Sequence, residues 1–136
     1  KYRSRSDFIA KNMSTFEWLD VFHDLFRRSL IINGLDACNT GRLQPVVEVM
    51  TRVVQDGIEI EVKDNGAGMD ERTLEHALEP FFTTKEPGKG TGLGLSLCSS
   101  IISAHNGRLS IVSHSGTGTS ATVYLPGIET HSETNA

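Results

Sequence analysis

The hydrophobic repeat of this chain changes its period along the sequence, and that change limits the folds open to it. Behind Ser14 and Glu17, which match a capping box, apolar residues recur every three or four positions up to about Asn39. From Pro45 the apolar residues alternate instead, and they alternate again after the turn signal Asp56-Gly57. The pattern predicts a long helix over about 15–39 followed by an antiparallel β-hairpin.

The second half of the chain predicts two more helices and a second pair of strands. A short helix begins at Asp70 and ends before Pro80, and an amphipathic helix covers about 93–105. Strands are expected over 108–113 and 119–125. We therefore expect an α+β fold, a two-layer α/β sandwich in which about three helices cover a mixed, mostly antiparallel sheet.

The length of 136 residues suits one globular domain. We divide the chain into an irregular segment or edge strand at 1–13, the domain at 14–127 and a frayed polar tail at 128–136.

The net charge of -4 argues against nucleic acid as a partner. No long apolar run and no leader are recognised, so we expect a cytoplasmic location, or the cytoplasmic side of a membrane if upstream regions anchor the protein. Cys38 and Cys98 are expected to be reduced, buried thiols.

Two of four informative segments present polar side chains where a ligand could use them. In 33–37, Asn33 lies on the inward face of the long helix, and its amide oxygen suits magnesium; a core amide satisfied by backbone is the alternative. In 64–69, Asp64 follows a strand and precedes two glycines, which suits recognition of a base with an exocyclic amine. An ordinary strand-to-helix turn is the alternative there.

The other two segments suggest a lid and a phosphate cradle. In 79–85, adjacent phenylalanines could anchor a lid hinge and Lys85 could reach phosphate, or the rings could be core anchors. The segment 88–96 is rich in glycine and precedes a helix, so several of its backbone N–H groups could point at one phosphate. This segment fits neither the Walker nor the dinucleotide pattern, and alone it could be a surface linker.

Together the four segments predict a nucleoside triphosphate site. In this combination of segments the sequence resembles a known family. It is similar to the ATP-binding catalytic (HATPase) domain of two-component sensor histidine kinases, in the GHKL superfamily that also holds type II topoisomerases, a heat-shock chaperone and mismatch-repair ATPases. The resemblance covers about 25–126. Its motifs are the N box at 33–37, the G1 box at 64–68, the F box at 79–85, the G2 box at 90–94 and a glycine-threonine element at 116–119.

The resemblance implies the Bergerat ATP-binding fold, with ATP and Mg²⁺ as cofactors. By analogy, Asp64 accepts from the adenine amine, Thr119 supports it through water, and Asn33 holds magnesium. Asn33 and Lys85 are the implied catalytic residues, and 83–91 is the implied lid. The implied nucleotide contacts are Asn33, Asp64, Gly66, Gly68, Phe81, Lys85, Lys89, Gly90, Thr91, Gly92, Leu93, Gly94, Leu95 and Thr119.

The chain departs from the family pattern in two places. Many histidine kinases carry a second Asn four residues before the N-box Asn, and hydrolysing members carry a Glu there; this chain has Ser29. An unassisted hydroxyl is too weak a base to activate water, so transfer to another nucleophile is expected rather than hydrolysis. In addition, the stretch before Asn33 is shorter than the family usually has.

The resemblance implies transfer of the γ-phosphoryl group to a histidine on a dimerisation and histidine-phosphotransfer domain, in cis in the full-length protein, with a response regulator downstream. The domain itself is expected to be monomeric. His23 precedes Asp24 as in an acceptor box, but it shares one helix with Asn33, so we interpret it as a surface histidine. Two alternatives stay open: a serine kinase of the anti-sigma type, and a degenerate nucleotide-binding or interaction module without catalysis.

Overall fold

The fold centres on a four-stranded antiparallel sheet. A computed structural model of the chain describes residues 23, 26–38, 44–88, 92 and 94–127. The strands are β1 (Val47–Val54), β2 (Gly57–Asp64), β3 (Arg108–His114) and β4 (Gly118–Pro126). Their order is β1-β2-β4-β3, and every neighbouring pair is antiparallel.

Helices cover one face of this sheet. A π-helical stretch (Arg27–Ile32) runs directly into α1 (Asn33–Cys38), and α2 (Glu71–His76) and α3 (Gly94–Ala104) follow. The predicted α+β class and two-layer arrangement are confirmed. The beginning of the long predicted helix, the segment 1–13 and the tail 128–136 lie outside the described residues.

The strand register sorts the side chains into a buried face and a polar face. Val62 pairs with Ala121 and Ile60 with Val123, so their side chains share the face that the helices cover. Leu30, Cys98 and Ile102 from the helices complete the core cluster. On the opposite face charged and polar side chains pair across strands, with Arg52 Nε 2.7 Å from Glu59 Oε2 and Ser120 Oγ donating to Glu61 Oε1 at 2.6 Å.

The first hairpin forms as predicted, but its turn is one residue earlier. Val54 pairs with Gly57, so Gln55 and Asp56 form the two-residue turn and Gly57 is already in β2. A Cβ on Gly57 would lie 2.1 Å from the carbonyl oxygen of Leu125. Glycine is therefore required at this position by the approach of β4.

The helix ends also differ slightly from the predicted ones. Asp70 caps α2 by accepting from the Thr73 N–H at 2.8 Å. The side-chain hydrogen bond with Thr73, followed by this backbone one, lowers the pKa of the Asp70 carboxyl. The helix ends at His76, earlier than the predicted position near 79. After α3, Asn106 takes the left-handed conformation (φ 59°) and the Gly107 N–H reaches back into the helix.

Both cysteines are free and buried, as predicted. Burial raises the pKa of the Cys98 thiol to about 11, so this sulfur stays protonated at neutral pH. Within the described part of the chain, no helix has both the length and the apolar character that crossing a bilayer requires.

Candidate functional site

Asp64 stands at the end of β2 with its carboxylate fixed by backbone groups. The residue is 7% exposed, and its Oδ1 accepts from the Gly66 N–H at 2.9 Å and from the Thr119 N–H at 3.3 Å. Among the described residues, the hydrogen bonds to this carboxylate use Oδ1. The other oxygen, Oδ2, therefore keeps its lone pairs for a donor such as an exocyclic amine.

A hydroxyl network extends from Asp64 into the β3–β4 hairpin. The buried Ser113 Oγ accepts from the Met69 N–H at 2.8 Å, donates to the Gly118 carbonyl at 3.1 Å and lies 2.7 Å from Thr119 Oγ1. Because a hydroxyl has one proton, Thr119 is the donor in that last pair. Thr119 Oγ1 can then still accept from a water beside the base. Sequence reasoning missed Ser113, since its position depends on the register of β3 against β4.

The glycines after Asp64 permit close contact between chain segments. A Cβ on Gly66 would lie 2.6 Å from the Ala37 carbonyl in α1, and one on Gly68 would lie 2.0 Å from the His114 carbonyl. Gly68 also has φ 66°, which favours glycine. Both glycines have a structural reason within the protein itself, and their contact with a flat ligand remains a prediction.

Asn65 acts as a clamp for the segment that enters β1. Its Oδ1 accepts from the Val46 N–H at 2.9 Å and its Nδ2 donates to the Gln44 carbonyl at 2.9 Å. The Cys38 thiol also donates to the same Oδ1, at 3.4 Å. This residue therefore fixes the turn between the end of α1 and the sheet.

Asn33 lies at the start of α1 with its amide orientation set by the helix. Its Nδ2 donates to the Ser29 carbonyl at 2.5 Å, and its Oδ1 lies 3.4 Å from Lys85 Nζ. The amide oxygen thus faces a cation already. Oxygen is the ligand type that magnesium prefers, and magnesium usually takes few protein ligands and keeps several waters, so the residues present fit the metal that the resemblance implies.

Lys85 is held against α1. Its Nζ forms a salt bridge with Asp36 Oδ2 at 2.7 Å, and its backbone N–H donates to Thr83 Oγ1 at 3.1 Å. Asp36 was not among the predicted site residues, because an acidic residue on an exposed helix position is usually only solvated. The structure therefore adds a carboxylate next to the amide of Asn33.

Ser29 joins the π-helical stretch before α1 to the beginning of α3. The residue is 2% exposed and its Oγ donates to the Gly94 carbonyl at 2.9 Å. A Cβ on Gly94 would lie 3.2 Å from this hydroxyl oxygen, so the two elements are in close contact. With its proton committed and its side chain buried, Ser29 is not placed to activate a water molecule.

Phe81 and Gly92 join the segment after α2 to the segment before α3. The Phe81 N–H donates to the Gly92 carbonyl at 2.8 Å, and a Cβ on Gly92 would lie 2.3 Å from the Phe81 carbonyl carbon. Phe81 has φ 67° and is 74% exposed, so its ring is not a core anchor. Phe82 is half-buried instead, with its ring centroid 5.8 Å from that of His76.

Helix α1, with the π-helical stretch before it, contacts three of the other predicted segments. Besides the Ser29 and Lys85 contacts, a Cβ on Gly34 would lie 3.4 Å from Asp64 Cβ, so the helix also packs against the end of β2. Leu95 packs against the hydrophobic core. The remaining predicted contacts Lys89, Gly90, Thr91 and Leu93 lie outside the described residues.

A separate surface cleft of 560 Å³ lies beside α2. It is lined by Asp70, Arg72, Thr73, His76, Glu79 and Phe82. None of the residues predicted to contact the nucleotide lines this cleft. At its wall, His76 Nδ1 lies 2.8 Å from Glu79 Oε1, within hydrogen-bonding distance.

Comparison with known proteins agrees with this fold. The family model described as histidine kinase-, DNA gyrase B-, and HSP90-like ATPase matches residues 28–128. The chain is 39% identical over 101 residues to the C4-dicarboxylate transport sensor protein DctB of Pseudomonas aeruginosa, covering 74% of this chain and 16% of DctB. It is 31% identical over 125 residues to the signal transduction histidine-protein kinase AtoS of Escherichia coli, covering 91% of this chain and 20% of AtoS.

A solved structure shows the same architecture. The catalytic domain of the histidine kinase ThkA, in a nucleotide-free form, superposes with a TM-score of 0.59 at 29% identity, covering 72% of this chain and 62% of that one. The chain spans between 14% and 22% of the length of the first curated relatives that it matches.

Proposed function

The chain belongs to the histidine kinase-, DNA gyrase B- and HSP90-like ATPase family as an ATP-binding catalytic domain of the histidine-kinase type, and we propose that it binds Mg-ATP around Asp64 and Asn33 and donates the γ-phosphoryl group to a histidine on another domain. One observation carries the proposal most directly. The helical stretch from Ser29 to Asp36 contacts Asp64, Lys85 and the start of α3 at once. Widely separated motifs therefore meet at one helical stretch.

In the proposed site, each group of residues has a distinct task. The Oδ2 atom of Asp64 accepts from the adenine amine, while Thr119 supports the base through water. Asn33 would hold magnesium through its amide oxygen, and Lys85 would contribute positive charge for the phosphates. Bound magnesium would neutralise charge on the triphosphate and orient it. In phosphoryl transfer, such positioning and electrostatic stabilisation supply most of the catalysis.

The burial and hydrogen bonding of Ser29 favour phosphoryl transfer over hydrolysis. The bond from the γ-phosphorus to the β,γ-bridging oxygen breaks, a bond to an acceptor nitrogen forms, and ADP leaves with the electron pair. A hydrolase needs a base to activate water in place of that acceptor, and the buried Ser29 hydroxyl donates its proton to a backbone carbonyl instead. We place the acceptor histidine on a dimerisation and phosphotransfer domain of the full-length protein, with a response regulator as the next acceptor and the cytoplasm, where ATP is present, as the location.

Binding and transfer can be tested separately on this chain. Titration with a fluorescent ATP analogue, with and without Mg²⁺, measures binding. Incubation with ATP labelled in the γ-phosphate, at a concentration that does not saturate the wild type, and a dimerisation domain added in trans should then give acid-labile phosphate on that domain, with much less when Asp64→Asn is used. Binding without transfer would support a passive nucleotide-binding module, and absence of binding would refute the proposal.

A further inference from the structure

We propose that Asp36 is a specificity-determining residue that makes this site select the metal-bound nucleotide over the free triphosphate. The inference rests on the proposed function and deepens it. Its basis is the position of one ammonium group: Lys85 Nζ lies 2.7 Å from Asp36 Oδ2 and 3.4 Å from Asn33 Oδ1. A carboxylate therefore lies beside the point at which Asn33 offers its amide oxygen to a metal.

The local helix geometry fixes this arrangement. Asn33 and Asp36 are three residues apart, so their side chains are neighbours on one helical face. The bond from Asn33 Nδ2 to the Ser29 carbonyl turns the amide oxygen toward the ammonium. The amide and the carboxylate thus line a single cation position, and Lys85 fills it in this structure.

A carboxylate in this place acts oppositely on the two forms of the nucleotide. It repels an ionised triphosphate that arrives without metal, whereas a divalent cation held at Asn33 would make the local interaction attractive. If the Lys85 ammonium moves to the phosphates, Asp36 loses its partner next to an anionic ligand. A divalent cation at Asn33 restores the missing positive charge, so the release of Lys85 favours metal-loaded nucleotide.

The magnitude is limited by solvent. The side chains of Lys85 and Asp36 are 35% and 44% exposed, so salt screens their interactions. For one carboxylate facing a triphosphate across a partly solvated gap, we expect an effect of about tenfold in affinity at low ionic strength.

The test compares the dissociation constant of a fluorescent ATP analogue in excess EDTA with that in Mg²⁺. Asp36→Asn should tighten binding in EDTA by about tenfold and change binding in Mg²⁺ much less, so that the ratio of the two constants falls. Lys85→Met should move the ratio the other way, because it leaves Asp36 unpaired. Added NaCl should shrink the difference between wild type and Asp36→Asn.

Glu75→Gln is the matched control, since it removes the same charge from an exposed position on α2. Its ratio should equal that of the wild type. An Asp36→Asn ratio equal to the wild-type ratio would overturn the inference, and so would an equal shift in Glu75→Gln, which would indicate a general effect of net charge. Failure of the wild type to bind in either condition would instead refute the proposed function.

Discussion

Replacing Asp64 by Asn should separate base recognition from folding. Asp64 Oδ1 accepts two backbone N–H groups, from Gly66 at 2.9 Å and Thr119 at 3.3 Å. An asparagine can present its carbonyl oxygen to both donors, so the free energy of unfolding should change by no more than about 1 kcal/mol. Its NH₂ group then takes the place of Oδ2 and meets the adenine amine donor to donor.

The loss in binding follows from the chemistry of that contact. A hydrogen bond to a charged acceptor contributes about 1.5–3 kcal/mol, so we expect Asp64→Asn to weaken ATP binding by about 10- to 150-fold. Asp64→Ala also affects folding, because it leaves the backbone N–H groups of Gly66 and Thr119 without the acceptor that Asp64 Oδ1 provides. It should lower the free energy of unfolding by about 2–4 kcal/mol as well as abolish binding.

The assay is competition of ATP and inosine triphosphate against a fluorescent analogue, alongside thermal unfolding of each variant. Inosine triphosphate has an oxygen in place of the exocyclic amine, so the wild type should prefer ATP and Asp64→Asn should lose or reverse that preference. A variant that keeps the wild-type melting temperature, affinity and base preference would show that Asp64 does not read the base.

Three further variants test other parts of the site. Asn33→Ala should weaken binding in Mg²⁺ by about tenfold and leave binding in EDTA unchanged, as measured by the same titration; equal losses in both would indicate misfolding. Gly66→Ala should lower the free energy of unfolding in urea by about 2–3 kcal/mol, because its Cβ would lie 2.6 Å from the backbone of α1. Gly34→Ala should leave this free energy unchanged or raise it, because its Cβ would make contacts of 3.4 Å and alanine favours a helix. Equal effects of the two substitutions would contradict the packing argument. Ser29→Ala should lower the free energy of unfolding by about 1–2 kcal/mol in the same assay, since the Gly94 carbonyl loses the hydroxyl that donates to it; no change would refute this contribution of the contact between the π-helical stretch and α3.

The sheet was largely predictable because alternation is a local signal. The strands of the second hairpin, Arg108–His114 and Gly118–Pro126, begin and end within about one residue of the predicted positions. The first turn was placed one residue late because Asp56-Gly57 is a strong turn signal on its own. In the structure Gly57 lies in β2, and glycine is needed there because the Leu125 carbonyl of β4 packs against it. This contact is between distant parts of the chain and has no local signal.

Side-chain partnerships across long sequence separations were not predictable in the same way. Asp36 and Lys85 are each unremarkable in sequence, and their salt bridge joins residues separated by 49 positions. Ser113 is similar, since its hydroxyl becomes a hub only when β3 and β4 take their register. Such contacts depend on how the segment 81–88 and the hairpin lie against α1 and β2, which no local pattern encodes.

The two halves of the site are built from different kinds of interaction, and this difference predicts how substitutions divide. Around Asp64, the proposed base contact depends on backbone N–H groups and on glycines that lie in close contact with other backbone segments, so most changes there should also affect folding. Around Asn33, the proposed metal and phosphate contacts depend on Asp36 and Lys85, whose side chains are partly exposed. Changes in this second half should alter metal dependence while leaving stability nearly intact, because exposed ion pairs contribute little to folding.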